Sequence, residues 1–181
     1  MRRALTLLVV GAAASSAFAV PVVAFPTHCR AEEFAVVNAR MSRVVQRPHG
    51  VELVRNGKLL SLCADKPAEP FERLAYRYGP PGLVELERVA TRASRFGIVN
   101  EFSPHVGEES LTFVAGKARL RVTIATPQGS GVSLSVHEGG RQVVDLFSGN
   151  DAGVDFELGP ARIDFDAVSS PIFFIRGTHG F

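Results

Sequence analysis

Five histidines, two cysteines and a group of carboxylates in the C-terminal third are the residues of this 181-residue chain with chemistry to offer. His28, His49, His105, His137 and His179 stand with no two at i, i+2 or i, i+4. No pair is therefore delivered to one face of a strand or helix, and a metal site of three or four converging groups would have to come from long-range folding. Each reads as a surface or turn residue. Asp151, Asp155, Glu157, Asp164 and Asp166 lie beside apolar residues and turns. Carboxylates on neighbouring strands can surround a hard cation such as calcium or act as a glycosidase pair. They also make the solvent face of two amphipathic strands. With no 12-residue calcium loop in the sequence, the solvent face is the reading adopted. G-x-S-x-G, H-E-x-x-H, Walker-type and G-x-G-x-x-G motifs are absent, so no catalytic residue, metal ligand or cofactor is assigned.

Cys29 and Cys63 are read through the compartment. Arg2 and Arg3, an apolar run over 5–14 and Ala17-Phe18-Ala19 have the layout of a signal peptide over residues 1–19, with a second possible cut after Ala24. The apolar run is shorter than the roughly 20 residues of a spanning helix, so no stable membrane span is expected after cleavage. Export places both thiols in an oxidising environment and predicts a Cys29–Cys63 disulfide. The alternative, a reactive thiol or metal ligand, lacks a C-x-x-C or a histidine at metal spacing.

The leader also carries the basic excess. The chain has 20 basic and 18 acidic side chains, and without Arg2 and Arg3 the balance is 18 to 18. No block of five or six like charges remains, which argues against nucleic acid as a partner. Taking 19 residues from 181 leaves 162, enough for the single β-rich domain assigned to residues 20–181.

Turn chemistry organises that domain. In 76-YRYGPPGLVELE-87, Pro81 and Gly82 suit the centre of a type II turn. A five-residue loop then pairs Tyr78 with Val84, Tyr76 with Leu86 and Arg77 with Glu85, giving one apolar face and one wet face. Packing is the reading for Tyr76 and Tyr78. If Tyr76, Arg77 and Tyr78 face solvent instead, they form a recognition patch. Asn56-Gly57 predicts a two-residue hairpin setting Leu53 against Leu60 and Val51 against Leu62. Gly116-Lys117 pairs Phe113 with Leu120 and Leu111 with Val122. Around Gly139-Gly140, matching Val136 with Val144 and Leu134 with Leu146 requires a bulge or longer loop. Residues 154–158, 163–166 and 171–175 read as strands, and 96–102 as a weaker one. Phe34, Val37, Met41, Val44 and Val45 recur at helical spacing, with Glu32 and Glu33 before them and Pro48 after, which predicts an N-terminal helix.

The segments 59-LLSLC-63 and 74-LAYRYGPPGLVELE-87 resemble the central motif of an uncharacterised group of small exported bacterial β-proteins. In that group a cysteine ends a hairpin strand and a Tyr-Arg-x-Gly-x-x-Gly and Glu-Leu pattern follows. The likeness extends to 111-LTF-113 and 132-VSLSVHEGGRQVVDL-146 and covers about half of residues 20–181. It implies an all-β exported domain and no activity. The chain departs from the pattern between Cys29 and Val51, and at Phe147, where a further cysteine is expected.

The expected fold is thus all-β, antiparallel hairpins forming a sandwich or short barrel, with one N-terminal helix. The expected function is that of a periplasmic or secreted, non-catalytic binding or inhibitor-like module whose loops meet a protein or glycan of the cell envelope. The alternatives are a hydrolase using carboxylates and histidine, which requires those groups to converge in a cleft, and a purely structural envelope protein.

Overall fold

The computed structural model describes residues 24–103, 106–126 and 130–175; the signal peptide expected over 1–19 lies outside them. The described residues form eleven strands: β1 (Phe34–Arg47), β2 (Gly50–Ala64), β3 (Leu74–Gly79), β4 (Leu86–Ala90), β5 (Phe96–Ser103), β6 (Val106–Ala115), β7 (Ala118–Thr126), β8 (Gly131–Glu138), β9 (Arg141–Phe147), β10 (Phe156–Leu158) and β11 (Phe173–Ile175). They make one sheet in the order β11-β5-β6-β7-β8-β9-β1-β2-β3-β4, with β10 beside β1. The sheet curls into a nearly closed barrel. Every ladder is antiparallel except that of β11 with β5.

Among the described residues there is no helix, and the one expected from 34 onward is strand β1. The helical spacing misled because both faces of β1 are covered. Val37, Ala39 and Met41 face the core, yet the intervening Asn38 and Ser42 are buried too, so the strand's period of two does not show as alternation of polarity. Its backbone pairs with β2 along its length on one side and, on the other, with β10 over 37–39 and with β9 over 42–43.

The Asn56-Gly57 hairpin is also corrected. β2 runs straight through these residues, and the chain turns at Pro48-His49 instead, so Leu53 pairs with Val44 and Val51 with Gln46. Asn56 and Gly57 are a bulge between the pairs Met41 with Lys58 and Ser42 with Arg55. Gly57 supplies φ +71°, and the Asn56 side-chain oxygen accepts the Lys58 N–H at 2.9 Å. A left-handed Asn-Gly step fits an inserted residue as well as a hairpin turn. Which one forms was decided by the longer partner, β1.

The Pro81-Gly82 turn forms as expected, with Gly82 at φ +79° and the Leu83 N–H donating to the Pro80 carbonyl at 2.9 Å. The strands resume two residues later than the sequence suggested: Tyr78 pairs with Leu86, Arg77 with Glu87 and Tyr76 with Arg88. Gly79 makes this wider loop possible, because a Cβ there would lie 2.1 Å from the Leu83 carbonyl oxygen. The other two hairpins have the expected registers, including the bulge after Val136. Of the C-terminal segments, 163–166 forms a loop rather than a strand.

The barrel interior holds Leu60, Leu62, Tyr76, Ile98, Leu111, Phe113, Leu120, Val122 and Leu134. Phe96 stacks on Phe113 with ring centres 4.5 Å apart, and Tyr76 tilts against it at 4.9 Å. Where β2 leaves and β3 returns, the end is closed by Phe71, Ala161, Phe165 and Ile172. Glu69 fastens this plug by accepting from the Asp164 N–H and from the N–H and hydroxyl groups of Ser169 and Ser170.

Candidate functional site

Two places in the molecule gather functional side chains. The first is a polar row on the outside of the barrel. Asn38, Ser61, Arg77 and Glu87 stand opposite one another across β1, β2, β3 and β4. Residues 25–33 lie over this row as a strap. Thr27 donates to Asn38 at 2.7 Å, the His28 N–H to the Ser61 hydroxyl at 3.0 Å, and Arg77 to the His28 carbonyl at 3.0 Å. The Cys29–Cys63 disulfide, Cα atoms 5.4 Å apart, pins the strap to β2, within the ordinary span of such a bridge.

At the centre Arg77, 2% exposed, forks onto Glu33 at 2.5 and 2.9 Å and reaches Glu87 at 2.8 Å. Arg73 also pairs with Glu33. Burial pushes the Glu33 carboxyl up, but hydrogen bonds from Arg77, the Arg30 N–H and Arg73 outweigh it and hold the group at about 2. The Arg77 guanidinium is itself held above its ordinary value, mainly by the hydrogen bond to Glu33. The cluster is saturated with internal partners, which makes it a clasp.

The Tyr76, Arg77, Tyr78 trio therefore has no common exposed face. Arg77 is on the covered outer side rather than a wet one, and its acids are Glu87 and Glu33; Glu85 pairs with Lys58 at 2.5 Å. Tyr76 points into the barrel, fully buried, and its hydroxyl has no hydrogen-bond partner among the described residues. Burial pushes that hydroxyl's pKa far up. Tyr78 is half-buried, and its hydroxyl accepts from the Asn56 amide at 3.0 Å.

The remaining candidates do not converge. The His28 ring is committed to the Gly79 carbonyl at 3.1 Å, His49 is exposed at the β1–β2 turn, and His137 is on β8; His105 and His179 lie outside the described residues. Asp155 binds Arg55 at 3.1 Å and caps the turn at Asp151. Asp164 accepts from the N–H groups of Asp166 and Ala167, while Asp166 accepts from Asn100 at 2.8 Å. Glu157 is exposed on β10. Burial, with Asp166 and Asp164 nearby, raises the Glu109 carboxyl. Among the described residues no three of His, Cys, Asp and Glu are placed to hold a metal ion, and no helix is long and apolar enough to cross a membrane.

The second place is the end of the barrel opposite the plug. β9 pairs with β1 only at Phe147 with Ser42 and Leu146 with Arg43, and β2 meets β3 only from Leu59 onward. Residues 44–55 consequently leave the barrel as a two-stranded arm with both edges free, carrying the exposed Val51, Leu53 and Val54. Between arm and barrel opens a cavity of about 1090 Å3. Tyr76, Tyr78, Leu86, Leu120, Leu134, Val136, Val144 and Leu146 line its wall, and Arg43, Arg55, Lys58 and Asp145 stand at its rim. Polar groups are mixed through the lining, from Arg55, Asn56 and Lys58 on β2 to Gln142 and Asp145 on β9. A concave region of this size with both kinds of group has the dimensions of a small-molecule site.

Sequence reasoning did not find the cavity, because it depends on where β1 parts from β9. The only local sign was the run of polar and charged residues around Asn56 and Arg43 in otherwise apolar strands. No family model, curated protein or solved structure matches the chain.

Proposed function

We propose that the chain is an exported, non-catalytic binding module of the cell envelope, periplasmic or secreted, that takes its ligand into the open end of the barrel. The observation that carries this reading is the 1090 Å3 cavity between arm and barrel, with apolar and polar groups both in its lining: the plugged barrel supplies a rigid wall and the arm a free border. The leader over 1–19, the disulfide and the resemblance to exported bacterial β-domains support the compartment. A lining that joins Leu86, Val136 and Val144 to Arg43, Arg55 and Lys58 favours an amphipathic ligand. His28 and Asp155, two of the groups the hydrolase alternative would use, are engaged in internal contacts, which favours the binding reading over it. A protein partner is favoured by one separate feature, the free edges of the arm, on which an added strand could pair.

The test is titration of the mature domain with a neutral naphthylamine dye. The chain contains no tryptophan, so dye emission is read without background. Saturable one-site binding is expected, and Val136→Trp, which fills the cavity, should abolish it while the protein stays folded. Binding that never saturates, or that ignores Val136→Trp, overturns the proposal.

A further inference from the structure

We infer that the ligand is a single-chain amphiphile with an anionic head, its chain lying along the Tyr78, Val136 and Val144 side of the cavity between arm and barrel and its head at Arg43. This rests on the binding reading above and adds the ligand's chemistry. Three cations stand at the rim, and two of them are engaged. Lys58 is held by Glu85 at 2.5 Å and Arg55 by Asp155 at 3.1 Å. Arg43 enters none of the ion pairs formed among the described residues.

Its place in the ladder explains its direction. Arg43 stands opposite Leu146 on β9 and Val54 on β2, and both partners line the cavity. Side chains directly opposite share a face, so an arginine occupies the last inward position before the arm departs, where a closed barrel would place an apolar residue. A guanidinium at the border of an apolar chamber offers a fork for a carboxylate or phosphate. Behind it, Leu86, Val136, Val144 and Leu146 give an apolar stretch of wall, while the Tyr78 hydroxyl and the Asn56 amide in the same lining are bonded to each other. Of the carboxylates nearby, Glu85 is taken by Lys58, while Asp145 shares the cavity lining with Arg43 and forms no ion pair with it. A long apolar chain with one negative end matches this arrangement, whereas a cationic or doubly charged polar ligand does not.

The experiment measures affinities of the full mature domain by displacement of the neutral dye, below micelle concentrations, for hexadecanoate, hexadecanol, hexadecyltrimethylammonium and hexanoate. Hexadecanoate should bind about tenfold or more tightly than hexadecanol, as a charge-assisted hydrogen bond requires. The cationic and the short-chain compounds should bind weakest. Arg43→Gln, at an exposed position, should remove most of the preference for hexadecanoate over hexadecanol, with the thermal unfolding midpoint checking that the variant is folded. Equal affinity for carboxylate and alcohol, or an Arg43→Gln protein that still prefers the carboxylate, overturns the anionic-head inference while the binding module stands. Hexanoate binding as well as hexadecanoate overturns the placement of the chain. Failure of every compound, the dye included, sinks this inference and the binding reading together.

Discussion

Arg77→Met should be among the most damaging single changes in this protein. Arg77 is 2% exposed and supplies two of the hydrogen bonds that keep Glu33 charged under the strap. A carboxyl held at about 2 instead of its usual 4.5 contributes about 3 kcal/mol at neutral pH. Because the folded value is the lower one, that contribution is complete above about pH 5 and disappears as pH falls through the folded value near 2. Removing the guanidinium leaves Glu33, whose side chain is 2% exposed, with Arg73 and one backbone N–H, and strands the inner side of Glu87. Breaking a buried pair in this way costs about 3–5 kcal/mol. Replacing both members, in Arg77→Met with Glu33→Gln, should recover most of the loss, since apolar or neutral substitutes for a buried pair are often no worse than the pair. Urea midpoints of the disulfide-intact domain at pH 7 and pH 3, at equal m-value, check this. Wild type should lose much of its advantage over Arg77→Met at pH 3. An Arg77→Met protein within about 1 kcal/mol of wild type at pH 7, or an advantage that does not shrink with acid, would refute a clasp built on this pair.

Three further outcomes follow from the same geometry. Tyr76→Ala should cost about 3–5 kcal/mol, whereas Tyr76→Phe should leave stability equal or higher, because the lost hydroxyl is buried without a partner and satisfies nothing; thermal unfolding of both variants measures the contrast. Gly57→Val should destabilise by about 1–2 kcal/mol through the left-handed backbone alone, since space at that position is open, and an unchanged denaturation midpoint would contradict the bulge. Reducing the Cys29–Cys63 bridge, which spans 34 residues, should cost about 3–4 kcal/mol on the chain-entropy account. Intact mass and alkylation before reduction should find no free thiol.

Much of the fold was legible where contacts are local. The Gly116-Lys117 and Gly139-Gly140 hairpins have the registers their side chains suggest, because a short turn and two amphipathic strands leave one solution. Legibility failed where a distant segment supplies the second face. Phe34–Arg47 looked helical because strap, β2 and β10 bury the residues that would otherwise betray a strand. Asn56-Gly57 looked like a turn because nothing nearby announces a fourteen-residue partner. Arg77 was expected on a wet face for the same reason: its cover, residues 25–33, lies more than forty positions away. The disulfide was readable from compartment and count, but the clasp it fastens was not.

The clasp and the cavity are coupled by the strands between them. β1, β2 and β3 carry Asn38, Ser61 and Arg77 on the outer side and Ala39, Leu60, Tyr76 and Tyr78 on the inner. A residue shift in any of these strands moves both sets, since successive side chains alternate between faces. The outer row therefore does for the open barrel what closure does for a complete one. With β9 released from β1 beyond Arg43, the wall beside the mouth lacks a neighbour to fix its register, and a buried, bidentate, disulfide-fastened cluster fixes it from behind. On this argument the costliest polar interactions of the molecule lie on the side away from the proposed ligand because that is where the wall needs support. The apolar side is left free to take a chain.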